Sequence, residues 1–452
     1  MKKMKHDVPI RLVKVLILIL MMVAFGFVWY GYYAARAQVH YYRRGDWVVI
    51  LLFGILYYGF CRSYDAFHIS ISPISEIIYS QTLALIISDF IMYVVIWLLS
   101  LYMPNAVPLL ITFGVQFLIS VLWTFLAHQW YFHNFRPGRT AVIYDLREGM
   151  ESLVGEYGME KKFHIEKVLG VEECLAKLSV LDEMDTVFLS GIHSHERNII
   201  LKYCMYQDIQ VYVIPRIGDV IMGGAKKVHM FHLPMLRIDR YRPIPEYTIA
   251  KRAFDILFSG IAIVIASPFM LVTAIAIKSD GGPALYKQTR LTKDGKEFNV
   301  LKFRSMRVDA EKDGVARLST GDKDDRITPV GKVIRKIRFD ELPQLFNILR
   351  GDMSIVGPRP ERPEIARQYE EEMPEFRLRL QAKAGLTGYA QVYGKYNTTP
   401  YDKLLMDLTY IGTPSLWEDF KICLATVKIL FMPESTEGVA EGATTAMGGE
   451  KH

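Results

Sequence analysis

Four long apolar runs lie in the first third of the chain, at Leu12–Tyr33, Trp47–Phe60, Ile74–Met103 and Val107–Phe132. A helix needs about 20 apolar residues to cross a hydrocarbon core about 30 Å thick, because lipid offers the backbone no hydrogen-bond partners. Three runs reach that length, and the second does so only by extending through Cys61 to Phe67. The pattern predicts a four-helix membrane bundle over 1–136, and it excludes an ordinary water-soluble fold for this part. The first run is too long, and too quickly followed by others, to be only a cleaved signal peptide. Trp29, Tyr30, Tyr32 and Tyr33 at one end, and Trp130, Tyr131 and Phe132 at another, have the character of interfacial anchors.

Lysine and arginine placement gives the orientation. Lys2, Lys3, Lys5, Arg11 and Lys14 crowd the beginning, Arg136 and Arg139 follow the last run, and Met103-Pro104-Asn105 carries no charge. Both ends of the bundle are therefore expected on the cytoplasmic face, against the pull of Arg36, Arg43 and Arg44 in the first loop. The whole chain carries a formal net charge of +6, which suits a phosphate-rich partner or an anionic membrane face. Cys61, Cys174, Cys204 and Cys423 are scattered with no Cys-x-x-Cys pair, which argues against a disulfide framework or a structural zinc site.

From 137 to 240 the chain turns soluble. Thr140–Tyr144, Thr186–Leu189 and Val211–Ile214 are short buried-strand runs between helical patterns, the signature of a small parallel α/β Rossmann-like domain. A dinucleotide site would need Gly-x-Gly-x-x-Gly after the first strand, so that backbone can approach a pyrophosphate. This chain has Asp145-Leu146-Arg147-Glu148-Gly149 there, so the expectation is a nucleotide-fold shell without a working phosphate loop.

A further apolar segment, Ala253–Ile277, is flanked by Lys251-Arg252 and Lys278. At about 37 Å it is long enough to cross a bilayer. Basic flanks at both ends, and Ser267-Pro268 inside it, favour instead a kinked re-entrant hairpin over 251–278 that enters and leaves by one leaflet. Farther on, Ser415–Phe431 has Leu416, Trp417, Phe420, Leu424, Val427 and Leu430 at helical spacing; it suits a surface-lying helix or one packed on a core. The tail, 433–452, has the composition of a disordered segment.

Adjacent carboxylates, Asp340 and Glu341, begin a short apolar helix, and Asp340 can serve there simply as an N-cap before Pro343. Neighbouring helix residues point about 100° apart, so the two acids suit separate tasks rather than a shared proton. One can attack phosphorus to give an acyl-phosphate while the other binds metal or moves a proton. A pyrophosphate would repel such an attack unless cations neutralise it. Mg²⁺ would serve, with Arg335, Arg359 between two prolines, Lys302 and Arg304 as candidate phosphate-binding residues.

Region 247–432 resembles the bacterial sugar transferases, the monotopic polyprenol-phosphate phosphoglycosyl transferases. The matching pieces are KRAFDILFSG (Lys251–Gly260), Ser267-Pro268, GGPALYKQTRLTKDGKEFNVLKFRSM (Gly281–Met306), DELPQLFNILRGDMSIVGPRPE (Asp340–Glu361) and GLTGYAQVYG (Gly385–Gly394). The resemblance implies a mostly helical α+β catalytic domain behind the bundle and the α/β domain. It implies a bacterial inner-membrane enzyme with its catalytic domain on the cytoplasmic face. Asp340 would attack the β-phosphorus of a UDP-sugar, UDP-glucose or UDP-galactose, and release UMP. Undecaprenyl phosphate would then take the sugar-phosphate, starting an exopolysaccharide, capsule or O-antigen. Ser267-Pro268 would set the hairpin, Arg335 and Arg359 would hold phosphate, and Glu341 would position Mg²⁺. Membrane lipid and a homodimer fit this picture; nucleic acid does not. The chain departs from the family at Arg338, Ala384 and Lys395. Two rival readings are an inactive membrane scaffold and a nucleotide-sugar epimerase or dehydratase using Tyr157-x-x-x-Lys161.

Overall fold

The structure, a computed structural model, describes residues 2–36, 44–100, 102–147, 149–241, 243–279, 281–307, 326–394 and 398–430. The tail over 433–452, together with Arg43 and Lys395, lies outside the described residues. The chain divides into two compact units, residues 1–214 and 215–452.

In the first unit, α1 (Lys2–Val28) continues into a turn of π-helix at Trp29–Tyr33 and is followed by α2 (Arg44–Ser63), α3 (Ile74–Leu99) and α4 (Val107–Asn134). Each has the length and hydropathy to cross a membrane. The second helix reaches spanning length by starting at Arg44, not by running on to Phe67, since it stops at Ser63. Phe27, Phe90, Leu98 and Leu118 each expose two thirds or more of their surface, so the bundle turns large apolar side chains outward. A bundle solvated by hydrocarbon needs that arrangement.

The same unit carries β1 (Gly138–Tyr144), α5 (Met150–Glu156), β2 (Phe163–Gly170), α6 (Val171–Ala176), β3 (Thr186–Ser190), α7 (Ser194–Tyr206) and β4 (Gln210–Val213). The strands form one parallel sheet in the order β2-β1-β3-β4. β3 is buried along its whole length, as its apolar run requires. β2 was not among the expected strands; it is an edge strand in which exposed and half-buried residues alternate after the buried Phe163, so it lacks a continuous apolar run. At the ends of β1 and β3 the backbone closes on itself. Asp145 N–H donates to Ser190 O at 3.2 Å, and a Cβ on Gly191 (φ +68°) would lie 2.7 Å from Arg147 N. Tyr157 and Lys161 straddle Gly158 (φ +63°) and do not share a helix, which removes the geometry of the Tyr-x-x-x-Lys reading.

The second unit opens with α8 (Ile217–Gly223), a hairpin of β5 (Lys226–Met230) and β6 (Leu233–Arg237), and α9 (Pro245–Lys278). Then come the hairpin of β7 (Leu285–Leu291) and β8 (Glu297–Phe303), α10 (Pro329–Lys336), α11 (Gln344–Arg350), β9 (Ser354–Val356) and α12 (Pro363–Glu372). β10 (Gly385–Thr387), α13 (Tyr389–Tyr393), α14 (Pro400–Gly412) and α15 (Leu416–Leu430) complete it. Residues 215–240, grouped from sequence with the α/β domain, belong to this unit instead. Gly224 seats α8 against α14, where a Cβ would fall 2.8 Å from Gly412 Cα.

α9 is helical through Ser267 and Pro268. Proline has no N–H, which orphans the carbonyl four residues earlier, that of Val264. Ser267 Oγ donates to Val264 O at 2.8 Å and fills that vacancy. α15 buries Ile422, Leu424 and Ala425, while Leu416, Trp417 and Val427 of the expected stripe stay exposed, so the helix packs on the core by one side and keeps part of the stripe outward.

Candidate active site

Asp340 does not cap a helix. Arg338 takes a left-handed conformation (φ +55°), which turns the chain into a short 3-10 segment, Phe339–Glu341, ahead of α11. Such a backbone in a residue other than glycine costs about 1 kcal/mol and persists only where the surroundings enforce it. Phe339 and Leu342, on either side of the acids, pack with Met270, Ala274, Ile277, Phe303 and Ile334. The acid pair thus stands directly on the C-terminal arm of α9.

Lys302 reaches the pair from β8, its Nζ 2.9 Å from Glu341 Oε1. Its strand is held by Asn347, which is fully buried in α11 and imitates a neighbouring strand. Leu301 N–H donates to Asn347 Oδ1, and Asn347 Nδ2 donates to Asn299 O, both at 2.9 Å. Arg359 approaches the same Glu341 oxygen at 3.5 Å and keeps about half of its side chain exposed.

The turn carrying Arg359 is pinned at four consecutive carbonyls. Pro358 O accepts from Gly385 N–H at 2.9 Å and Arg359 O from Arg379 Nη2 at 2.9 Å. Pro360 O accepts from Arg290 Nη1 at 3.1 Å and Glu361 O from Leu291 N–H at 3.0 Å. Arg379 is itself buried and paired with Asp407 at 2.7 Å and Glu361 at 3.6 Å. Close backbone contact completes the seat: a Cβ on Gly385 would lie 2.2 Å from Gly357 N, and one on Gly388 2.1 Å from Gly357 O. The glycines of the two motifs are there because two backbone segments touch.

The electrostatics separate the two acids. Burial pushes the Asp340 carboxyl up, the charge on Glu341 adds to that, and Lys302 and Arg335 pull the other way. Burial alone would raise Glu341 as well, but Lys302 and Arg359 outweigh it and hold that carboxyl well below the usual range. One site therefore holds a firmly ionised, cation-bound carboxylate beside a more basic one. Of the expected phosphate binders, Lys302, Arg335 and Arg359 act on the pair. Arg304 does not join them. Its side chain is buried and donates to the carbonyls of Pro283 (2.9 Å), Met306 (3.2 Å) and Ile277 (3.2 Å), which makes it a strut between β8 and the end of α9.

Lys251 and Arg252 also differ from their expected use as membrane flanks. Lys251 Nζ donates to Asp419 Oδ2 at 2.9 Å, where Tyr247 and Tyr410 hydroxyls donate too. Arg252 donates to Ile348 O (2.6 Å) and Leu349 O (2.7 Å), satisfying carbonyls at the end of α11. Asp255 accepts from Ile355 N–H at 2.9 Å and Ser354 Oγ at 3.1 Å. The first arm of α9 is bolted to the body that carries the acids.

Comparison with known proteins places this body. The model of the bacterial sugar transferase family matches residues 246–433. The chain is 40% identical over 234 residues to the UDP-N-acetylgalactosamine-undecaprenyl-phosphate N-acetylgalactosaminephosphotransferase of Aeromonas hydrophila, covering 51% of this chain and 54% of that one. It is 41% identical over 201 residues to the UDP-glucose:undecaprenyl-phosphate glucose-1-phosphate transferase of Caulobacter vibrioides, covering 43% and 74% respectively. Against the undecaprenyl-phosphate galactose phosphotransferase of Salmonella typhimurium the identity is 38% over 236 residues, or 49% of each chain. The match thus spans about half the length of the first and third of these relatives.

Proposed function

This chain belongs to the bacterial sugar transferase family, and on that premise we propose that it moves a sugar-1-phosphate from a UDP-sugar to undecaprenyl phosphate at a membrane surface. The observation that carries the reading is Glu341 fixed between Lys302 and Arg359, with the more basic Asp340 beside it. A carboxylate of raised basicity is the better nucleophile, and cations around it offset the charge of an incoming pyrophosphate.

In the first half-reaction an Asp340 oxygen bonds to the β-phosphorus of the UDP-sugar. The bond from that phosphorus to the bridging oxygen breaks, and UMP leaves with the electron pair. In the second, a phosphate oxygen of undecaprenyl phosphate attacks the aspartyl-bound phosphorus and frees the Asp340 carboxylate. The product is an undecaprenyl-diphosphate sugar. Arg359 and Arg335 hold phosphate oxygens, and Lys302 keeps Glu341 ionised and in place. Mg²⁺ fits this donor set: it commonly takes one or two carboxylates together with substrate phosphates, and Glu341 stays ionised to offer an oxygen. When bound it would neutralise charge on the pyrophosphate.

A re-entrant α9 is part of the same reading. As a straight rod its 34 residues would span about 51 Å. Yet Lys251, Arg252 and Asp255 on the first arm, and Met270, Ala274 and Ile277 on the second, all contact the one catalytic body. A crossing helix would put those contacts on opposite sides of the bilayer. The exposed Val264, Ile265, Leu271 and Val272 around the Ser-Pro step suit immersion in one leaflet. The catalytic face then lies in the cytoplasm of the inner membrane, where UDP-sugars are found, and the α/β sheet serves as a Rossmann-like shell without a phosphate loop. The reading also admits a homodimer, which cross-linking in membranes would reveal.

The relatives are named for glucose, galactose and N-acetylgalactosamine, so the test offers all three. Membranes containing the wild type, undecaprenyl phosphate and each radiolabelled UDP-sugar should pass label to lipid and release UMP with one of them. Asp340→Asn should do neither. Equal transfer by both proteins would remove Asp340 as the nucleophile.

A further inference from the structure

The bundle of the first unit hides a polar seam that the transferase chemistry leaves unused. Between residues 15 and 35, 47 and 61, 77 and 99, and 107 and 127, Asp89 is the single Asp, Glu, Lys, Arg or His. It lies on α3 near mid-helix and is 6% exposed. Neither of its carboxylate oxygens has a hydrogen-bond partner, and the same holds for both amide atoms of Gln116 and for Ser88 Oγ.

Asp89, Ser88 and Thr112 fall near one depth, with Gln116 about one helical turn away. α3 and α4 are antiparallel neighbours joined by Ser120 Oγ donating to Gln81 Oε1 at 2.5 Å. Moving about 12 Å from that bond toward the α3–α4 loop reaches Asp89 on one helix and Thr112 on the other, and Gln116 lies about 6 Å short of that layer. Thr112 Oγ1 donates to Pro108 O at 2.9 Å and keeps its lone pairs to accept. Across the bundle Phe25 of α1 stacks on Phe53 of α2 at 4.5 Å, and Tyr57, one turn from Phe53, buries its hydroxyl. No helix brings a positive side chain to the layer.

Unpaired polar atoms in such a site cost several kcal/mol each, and an isolated carboxylate more. A carboxylic acid and a primary amide could satisfy one another through a two-bond ring. Here they sit on one seam and do not meet. Oxygens from a carboxylate, an amide and hydroxyls, with a single negative charge among them, form a donor set for a hard monovalent cation. We propose that the bundle binds a sodium-sized monovalent cation between Asp89 and Gln116, completed by the hydroxyls of Ser88 and Thr112. The ion cancels the buried charge and ties α3 to α4.

The test uses the full chain in bilayer discs of phosphatidylethanolamine and phosphatidylglycerol at pH 8. Sodium chloride is titrated against choline chloride, and separately potassium chloride, at constant ionic strength. Trp29, Trp47, Trp97, Trp123 and Trp130 all lie in the bundle region, so tryptophan fluorescence reports its melting. The wild-type midpoint should rise by about 4 °C for each tenfold of sodium above the dissociation constant. Asp89→Asn should melt at one temperature in sodium and choline, and Gln116→Leu should need about tenfold more sodium for the same rise. A cooperative tryptophan transition in each variant reports that its bundle is folded. A wild-type midpoint that ignores sodium, or one that follows pH alone because the carboxyl is merely protonated, would overturn the site. So would Asp89→Asn responding like the wild type. Equilibrium dialysis of the wild type with radioactive sodium reads the site without any variant: about one ion per chain supports it, and no retention above that of empty discs refutes it.

Discussion

On the proposed mechanism Asp340 has to be ionised when it meets phosphorus, and its surroundings set the pH at which that holds. Burial and the Glu341 charge raise its proton affinity, while Arg335 lowers it. The rate of UMP release should therefore fall as pH drops through a value above the ordinary aspartate range. Arg335→Gln removes a charge that favours the ionised form, so the acid limb should move to higher pH, which a single-turnover pH profile would record. A limb that stays in place would mean that Arg335 does not act on the nucleophile. At this scale Asp340, Glu341, Lys302 and Arg359 were legible because their chemistry is concentrated in short motifs. Arg304 was not: a sequence shows a guanidinium but not whether three carbonyls already occupy it. Asn347 and Arg379 were missed because their partners, Asn299 and Asp407, are distant in the chain. A polar Asn347 inside the apolar run Leu345–Leu349 was the one available hint.

Among elements, the stiffest part is the Gly357–Glu361 turn, whose carbonyls are all taken from Pro358 onward. Arg379→Met should leave Asp407 buried at 1% exposure without its cation, costing about 3–5 kcal/mol and visible as a lower denaturation midpoint of the second unit. Gly388→Ala should prevent stable folding, since its Cβ would meet Gly357 O at 2.1 Å; proteolysis of membranes would show it. Hydropathy made the four N-terminal helices legible, because a spanning helix must be apolar nearly throughout. It gave their edges less well, as α2 shows. The β2 edge strand escaped notice because exposed His164, Glu166 and Val168 interrupt its half-buried positions. For α9 the two basic flanks pointed toward a common face, yet Lys251 and Arg252 proved to be internal partners of Asp419 and of the α11 terminus. Contacts from both arms to one body, not the flanking charges, favour a common face.

For the whole molecule, topology is the measurable property. Cysteines placed at Ile249 and Ser279, in a chain lacking its four native cysteines, should both react with an impermeant maleimide only when the cytoplasmic face is exposed. Labelling from opposite faces would mean that α9 crosses. On the proposed re-entrant placement of α9, with the Asp340 turn resting on one arm and Lys251, Arg252 and Asp255 clamping the other, the nucleophile would stay at the lipid surface. Loading of the enzyme then depends on nucleotide dissolved in three dimensions, but unloading depends on encounters in a plane. Spreading a fixed number of carrier lipids through a larger area of inert bilayer should slow the discharge of the phosphosugar in proportion and leave its capture unchanged.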